Sequence, residues 1–158
     1  MSKRILVVDD HDVVRQGVRR ILHGHPEWQI VAEAGDGVEA VEKAKSLHPD
    51  LVILDISMPR KDGLEVAAEL TRNGSGSKIL VLTMHDEESL ITEIRKSGAA
   101  GYVTKTQAAR DLARAVEELL DGGMFFPAGA PPSLSVVAEK PNNKKQRGMF
   151  RMKPSADA

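Results

Sequence analysis

Short apolar runs alternate with amphipathic segments along the first 126 residues, and this alternation restricts the folds open to the chain. Five of the runs have the length and composition of strands covered on both faces, because they are short and built mostly from Val, Ile and Leu. These strand candidates are Ile5–Val8, Gln29–Ala32, Leu51–Leu54, Ile79–Leu82 and Tyr102–Val103. Strands separated by helical segments are typical of a parallel sheet.

The segments between the strand candidates have the pattern of helices. Four of them carry apolar residues on one helical face: Val14, Val18, Ile21 and Leu22; Val38, Val41 and Ala44; Leu90, Ile91 and Ile94; and Leu112, Val116, Leu119 and Leu120. The segment Gly63–Arg72 has a weaker apolar stripe but is rich in helix-forming residues. Gly24, Gly74, Gly98 and Gly122 follow four of the five segments and indicate helix ends. We therefore predict an α/β fold, a doubly wound parallel sheet with helices on both faces.

The composition is that of a soluble protein of one folded domain, with 41% hydrophobic and 28% charged residues in a chain of 158. No apolar run approaches the roughly 18 residues that a membrane span needs. The N-terminal sequence MSKRILVVDD has an apolar stretch too short for a secretory signal. The absence of Cys excludes disulfides and thiolate metal sites, and we expect a cytoplasmic protein.

Charge divides the chain into two parts. Residues 1–126 carry 16 Lys and Arg against 21 Asp and Glu, whereas residues 127–158 carry 6 against 2. The second part is also rich in Pro and Lys and has little apolar periodicity. We predict that residues 1–126 form the folded domain and that residues 127–158 form a basic, disordered tail.

Polar residues follow four of the five strand candidates. Asp9 and Asp10 follow the first strand, Asp55 the third and Thr83 the fourth, and Lys105 stands just after the fifth. Ligands of parallel α/β sheets bind beyond the carboxyl ends of the strands, so these side chains are predicted to converge. Two carboxylates about 4 Å apart repel by roughly 4 kcal/mol at an effective dielectric constant of 20, which favours a bound cation. A hard dication such as Mg²⁺, together with the lysine, neutralises three carboxylates.

The sequence resembles the receiver domain of bacterial two-component response regulators, of the NarL/FixJ branch, in four stretches: VVDDHDVVRQG, LVILDISMPRKDG, LTMHDEES and GAAGYVTK. The resemblance covers residues 3 to about 122. It implies a flavodoxin-like (CheY-like) fold of five parallel strands in the order 2-1-3-4-5. It also implies that the chain accepts a phosphoryl group from a sensor histidine kinase in phosphorelay signal transduction.

The resemblance assigns roles to the residues at the strand ends. Asp55 is expected to be the phosphoacceptor. Asp9, Asp10, Asp55 and the backbone carbonyl of Ser57 are expected to hold Mg²⁺ or Mn²⁺, with Asp10 as a direct ligand. Lys105 is expected to pair with Asp55 and then with the phosphoryl oxygens. The chain would catalyse only its own phosphorylation and slow dephosphorylation, and it is not expected to be an enzyme for other substrates.

A second group of residues is expected to act as the switch. The resemblance implies that the hydroxyl of Thr83 closes on the phosphoryl group and that the ring of Tyr102 follows it. The surface of residues 87–122 would then change its affinity for a second copy of the chain or for a downstream protein. His85 lies near Thr83 and is expected either to tune hydrolysis of the acyl phosphate or to be a bystander.

The chain departs from the NarL/FixJ branch after the receiver region. Those regulators normally continue into a helix-turn-helix DNA-binding domain, but only 32 residues follow Phe126 here, without the required helical pattern. We expect a standalone receiver or one whose output domain is missing. Nucleic-acid binding is not expected from the folded domain, and a role in transcription regulation would need an output domain or a partner.

Two other functions compete with the receiver interpretation. A haloacid-dehalogenase-like phosphatase also uses an aspartyl nucleophile, Mg²⁺ and a lysine, but it needs a D-x-D motif that DDHDV does not match. The segment KKQRGMFRMK makes the tail a candidate for binding nucleic acid or an acidic membrane. Two single residues receive structural interpretations, His11 as an exposed residue at a helix start and Asp62 as the N-cap of the third helix.

Overall fold

The computed structural model describes residues 2–58 and 61–127, and strands alternate with helices throughout these residues. The strands are β1 (Lys3–Val8), β2 (Trp28–Ala34), β3 (Leu51–Asp55), β4 (Lys78–Thr83) and β5 (Gly101–Thr104). The helices are α1 (Asp12–His23), α2 (Gly37–Leu47), α3 (Gly63–Arg72), α4 (Glu88–Lys96) and α5 (Ala108–Leu120), with a 3₁₀ turn over Lys105–Gln107. No helix in these two stretches combines the length and apolar content of a membrane span. The predicted tail, apart from Pro127, lies outside the described residues.

The five strands form one parallel sheet in the order β2-β1-β3-β4-β5. This order confirms the predicted doubly wound α/β fold. Each strand of the sheet contains its predicted segment and extends one to three residues beyond it. The order places β1 and β3 side by side at the centre of the sheet, where the chain changes its winding direction.

The core lies on both faces of the sheet, because alternate residues of a strand point to opposite sides. One face packs its buried residues against α1 and α5, in a cluster that includes Ile5, Ile53, Leu80 and Val103 from the strands. The intervening strand residues, such as Leu6 and Val52, are equally buried and point the other way. All five residues of β3 are buried, including the terminal Asp55. The buried central strands therefore hold the side chains at their ends in fixed positions.

The start of α3 is built directly against the end of β3. Asp62 caps the helix, as predicted, because its side chain accepts a hydrogen bond from the Glu65 N–H (2.9 Å) and the Glu65 side chain accepts one from the Asp62 N–H (3.0 Å). The N–H of Gly63 donates to the carbonyl of Ile56 at 2.8 Å. A Cβ atom on Gly63 would lie only 2.1 Å from the backbone carbonyl oxygen of Asp55. Glycine at this position thus lets the helix approach the strand end.

The segment after α5 covers the outer edge of β5. Tyr102 donates its N–H to the carbonyl of Phe125, and Phe125 donates its N–H to the carbonyl of Ala100, both at 3.0 Å. The ring of Phe126 meets that of Tyr102 edge-on, with centroids 5.9 Å apart, and the Arg95 guanidinium lies 3.7 Å from the Phe126 centroid. Backbone pairing and ring contacts together protect this exposed strand edge.

We predict that Gly63→Ala lowers the free energy of unfolding by about 1–3 kcal/mol, because the methyl group clashes with backbone that cannot move away. Gly17→Ala is the matched control, since Gly17 lies inside α1 with open space around its Cα. The control should raise the free energy of unfolding by up to about 1 kcal/mol through helix propensity. Urea unfolding measures both values, and a Gly63→Ala variant as stable as the native chain would refute the close approach.

Candidate functional site

The polar residues that follow the strands meet at one edge of the sheet. Asp55 and Thr83 are the last residues of β3 and β4, Asp9 stands just after β1, and Lys105 stands just after β5. Asp55, Thr83 and Lys105 line one cleft of about 340 Å³, together with Ser57 and other residues of the neighbouring loops. The cleft is open to solvent, whereas the side chains of Asp9 and Asp55 beneath it are almost completely buried.

Lys105 joins two of the buried acids. Its Nζ atom lies 3.0 Å from Oδ2 of Asp9 and 3.0 Å from Oδ1 of Asp55. The exposed fraction of the Lys105 side chain is 15%, so water screens these ion pairs less than it would on an open surface. The lysine therefore neutralises part of the charge that two adjacent strands bring together.

Burial and charge pairing have opposite effects on the pKa values of Asp55 and Lys105. Burial raises the pKa of the Asp55 carboxyl, and the hydrogen bond from Lys105 only partly offsets this effect. Burial alone would lower the pKa of Lys105, but its hydrogen bonds to Asp9 and Asp55 outweigh that effect and raise the pKa overall. Burial thus opposes ionisation of Asp55, whereas the neighbouring carboxylates favour the charged form of Lys105.

The residues fit a hard divalent cation. Oδ2 of Asp55 is buried and has no hydrogen-bond partner among the described residues, which is an unfavourable state for an acceptor atom. Asp9, Asp10 and Asp55 each offer a carboxylate oxygen within one group whose ligand atoms lie within 4.8 Å of one another. Carboxylate oxygens beside a water-accessible cleft are the ligands that Mg²⁺ prefers. Ser57, the remaining predicted ligand, is exposed and lines the cleft.

His11 lies closer to the acids than its sequence position suggested. It occupies the N-cap position of α1, as expected for a residue at a helix start. Its backbone N–H donates to Oδ1 of Asp9 at 2.8 Å, and its ring Nδ1 lies 3.1 Å from Oδ1 of Asp9 and 3.0 Å from Oδ1 of Asp10. The histidine therefore belongs to the acidic cluster and not only to the helix.

Arg15 is a site residue that the sequence reasoning missed. Its guanidinium donates to the backbone carbonyl of Asp9, and its Nε donates to Oε1 of Glu33 at 3.0 Å. Glu33 also accepts from Arg19, so one acid on β2 holds two of the three arginines of α1. These contacts fix the backbone at the end of β1. The arginine in the VVRQG stretch was the signal available in the sequence, but its partner on β2 was not visible there.

Thr83 is bonded within its own loop. Its hydroxyl donates to the carbonyl of His85 and accepts from the His85 N–H, both at 3.0 Å. The side chain of His85 is 68% exposed and lines the mouth of the cleft. Thr83 therefore lines the same cleft as Asp55, and its hydroxyl forms its two hydrogen bonds with the backbone of His85.

Tyr102 is not among the residues that line the cleft. It lies on β5, paired with Val81 of β4, and only 2% of its surface is exposed. Burial raises the pKa of its phenol. Of the two residues predicted to form the switch, Thr83 lines the cleft together with Asp55. Tyr102 is not part of the cleft lining, and its ring contacts the ring of Phe126.

The family model described as the response regulator receiver domain matches residues 5–117. The chain belongs to this family. The transcriptional regulatory protein DegU of Brevibacillus brevis is 40% identical over 123 residues, which cover 78% of this chain and 52% of DegU. The nitrate/nitrite response regulator protein NarL of Escherichia coli K12 is 31% identical over 150 residues, covering 95% of this chain and 69% of NarL.

A solved response-regulator structure has the same fold. The crystal structure of a LuxR-family two-component response regulator from Aurantimonas sp. SI85-9A1 matches with a TM-score of 0.75 and 34% identity, covering 79% of this chain and 89% of that one. The chain is therefore a response-regulator receiver of the two-component signalling type, homologous to NarL and DegU. It spans about half the length of DegU.

We predict that Asp55→Asn makes the receiver more stable in the absence of metal. The folded-state pKa of Asp55 is raised, so this group stabilises the fold below its unfolded pKa of about 3.8 and loses that contribution as the pH rises. The variant should therefore melt a few degrees above the native chain at pH 7, and the difference should shrink towards pH 4.

Thermal unfolding in the presence of a chelator, followed by circular dichroism from pH 4 to pH 7.5, measures this difference. Asp62→Asn is the control, because Asp62 is exposed and asparagine is also a good N-cap. An Asp55→Asn variant that melts below the native chain at pH 7 would contradict the charge balance described here.

Proposed function

We propose that the receiver accepts a phosphoryl group on Asp55 from the phosphohistidine of a sensor histidine kinase, in a reaction that depends on Mg²⁺ or Mn²⁺. The observation that carries the proposal is the contact of Lys105 with both Asp9 and Asp55 at the end of a buried strand. A carboxylate held in one position and beside a fixed cation is suited to phosphoryl transfer, which depends mainly on positioning and charge stabilisation.

The transfer follows from the chemistry of the two side chains. A carboxylate oxygen of Asp55 attacks the phosphorus, the bond between phosphorus and the kinase imidazole breaks, and the electron pair returns to that imidazole. Lys105 stabilises the negative charge on the phosphoryl oxygens, as it stabilises the free carboxylates now. Mg²⁺ bound by Asp9, Asp10, Asp55 and the Ser57 carbonyl would supply further positive charge to these oxygens.

Charge balance explains why the reaction is suited to signalling. Three carboxylates, one lysine and one divalent cation carry no net charge, and a phosphoryl group adds about one negative charge. The Thr83 hydroxyl can respond to this added negative charge by forming new hydrogen bonds, because its present partners are backbone groups of its own loop. We infer that Thr83 exchanges these bonds for the phosphoryl group and that Tyr102 follows. Residues 87–122 then favour a different partner, a second copy of the chain or a downstream protein.

The receiver would act on no substrate but itself. Its chemistry would be its own phosphorylation and slow dephosphorylation, and the exposed His85 at the cleft mouth would either tune that hydrolysis or be a bystander. We place it in the cytoplasm, where a kinase domain would meet it. Neither the phosphatase alternative nor nucleic-acid binding gains a specific observation from residues 2–58 and 61–127.

We expect the native chain to gain one phosphoryl group when incubated with acetyl phosphate and Mg²⁺, and to gain none when a chelator is present. Asp55→Asn should abolish the gain, because no carboxylate remains at the end of β3. Asp62→Asn should react like the native chain, since Asp62 is an exposed helix cap. Intact mass spectrometry at neutral pH reads the result, and an Asp55→Asn variant that is phosphorylated as fully as the native chain would disprove the assignment.

A separate prediction concerns the switch. Thr83→Ala should still be phosphorylated on Asp55, but it should lose the conformational response, because no hydroxyl remains to move towards the phosphoryl group. Amide chemical shifts of α4 and β5, recorded with and without beryllofluoride, measure the response. Thr106→Ala is the control at an exposed threonine nearby. Equal shift changes in Thr83→Ala and in the native chain would show that the signal takes another route.

A further inference from the structure

The imidazole of His11 stands among carboxylates at the spacing of metal ligands. Its Nδ1 atom lies 3.1 Å from Oδ1 of Asp9 and 3.0 Å from Oδ1 of Asp10. Adjacent ligands at right angles around an ion, each about 2.1 Å from it, lie about 3.0 Å apart. The group formed by Asp9, Asp10, His11 and Asp55 has all its ligand atoms within 4.8 Å of one another.

We propose that His11 is a ligand of the same metal site and that its imidazole gives the site a preference for first-row transition dications, such as Co²⁺, Ni²⁺ and Zn²⁺. The inference builds on the metal site of the proposed function, but it concerns which ions that site selects. It also revises the interpretation of His11 as a residue that only starts a helix.

The helix does not account for the position of the imidazole. His11 occupies the N-cap of α1, yet its side chain makes no capping hydrogen bond. Residues favoured at this position are those whose side-chain oxygen accepts from the first turn, and histidine is not one of them. Its backbone N–H is held instead by Oδ1 of Asp9 at 2.8 Å, which keeps the residue beside the acids. The ring is thus directed to the carboxylates and not to the helix.

A second observation points independently to a ligand. The carboxyl of Asp55, also a member of the group, is almost completely buried, and its Oδ2 atom has no hydrogen-bond partner among the described residues. His11 and Asp55 line the same cleft of about 340 Å³, which has room for an ion and several waters. A buried acceptor in need of a partner and an imidazole at ligand spacing therefore face one space.

The identity of the donors determines the selectivity. Mg²⁺ takes oxygen ligands and gives up its waters reluctantly, so an imidazole adds little to its binding. Imidazole suits the later first-row dications, whose affinity rises towards copper. A site of three carboxylates and one histidine should accept both classes of ion but bind the transition metals much more tightly. Such an ion would occupy the carboxylates that Mg²⁺ needs.

The test compares His11→Gln with His85→Gln. Both histidines line the cleft and are similarly exposed, with 65% and 68% of their side-chain surface accessible, but only His11 belongs to the ligand group. Titration calorimetry with CoCl₂ should show that His11→Gln weakens Co²⁺ binding by at least about tenfold. Its effect on MgCl₂ binding should be less than about threefold. His85→Gln should bind both ions like the native chain.

Two further measurements assign the site. Excess Mg²⁺ should displace Co²⁺ from the native chain, which separates this site from histidines elsewhere on the surface. The visible absorption spectrum of bound Co²⁺ should change in His11→Gln, because a nitrogen ligand is lost. The far-ultraviolet circular dichroism of each variant verifies that it is folded.

The proposal is overturned if His11→Gln binds Co²⁺ as tightly as the native chain, or if His85→Gln loses as much affinity as His11→Gln. These results are distinguishable from a failure of the proposed function. If the native chain is phosphorylated by acetyl phosphate and Mg²⁺ but His11→Gln binds Co²⁺ as tightly as the native chain, only the proposal about metal selectivity is wrong. If Co²⁺ binding depends on His11 but no phosphorylation occurs, the metal site stands and the phosphoreceiver assignment fails.

Discussion

The contact of one lysine with two buried carboxylates is the constraint on which the rest of the site depends. β1 and β3 are neighbours at the centre of the sheet, so their terminal acids are forced together, and only a cation makes that approach tolerable. Lys105 follows β5, and β4 lies between β5 and β3, so the amine reaches the acids from beyond the neighbouring strand. Thr83 is the last residue of β4 and lines the same cleft as Lys105 and Asp55.

The residues at this edge of the sheet are held in two different ways. Arg15 holds the carbonyl of Asp9, and Gly63 brings α3 against the backbone of Asp55, so the acids have little freedom. The hydroxyl of Thr83, in contrast, is held by two hydrogen bonds to the backbone of His85 in its own loop. The acids are thus held from neighbouring elements, whereas the hydroxyl of Thr83 is bonded within its own loop.

Much of this arrangement could be predicted from the sequence, because strand periodicity and parallel topology place the residues after each strand at a common edge. Side-chain conformations between elements could not. The bond from Arg15 to Asp9 depends on Glu33 of β2, and the position of His11 depends on a rotamer. The end of α2 was also missed, because His48 there adopts a left-handed conformation (φ 49°) that the sequence leads one to expect of glycine.

The contact between the rings of Tyr102 and Phe126 links β5 to the segment that follows α5. Phe125 forms backbone hydrogen bonds with Ala100 and Tyr102. The ring of Phe126 contacts the Tyr102 ring on one side and the guanidinium of Arg95 in α4. A rotation of the Tyr102 ring would remove the surface that the Phe126 ring contacts, so the position of Phe126 is coupled to the rotamer of the tyrosine.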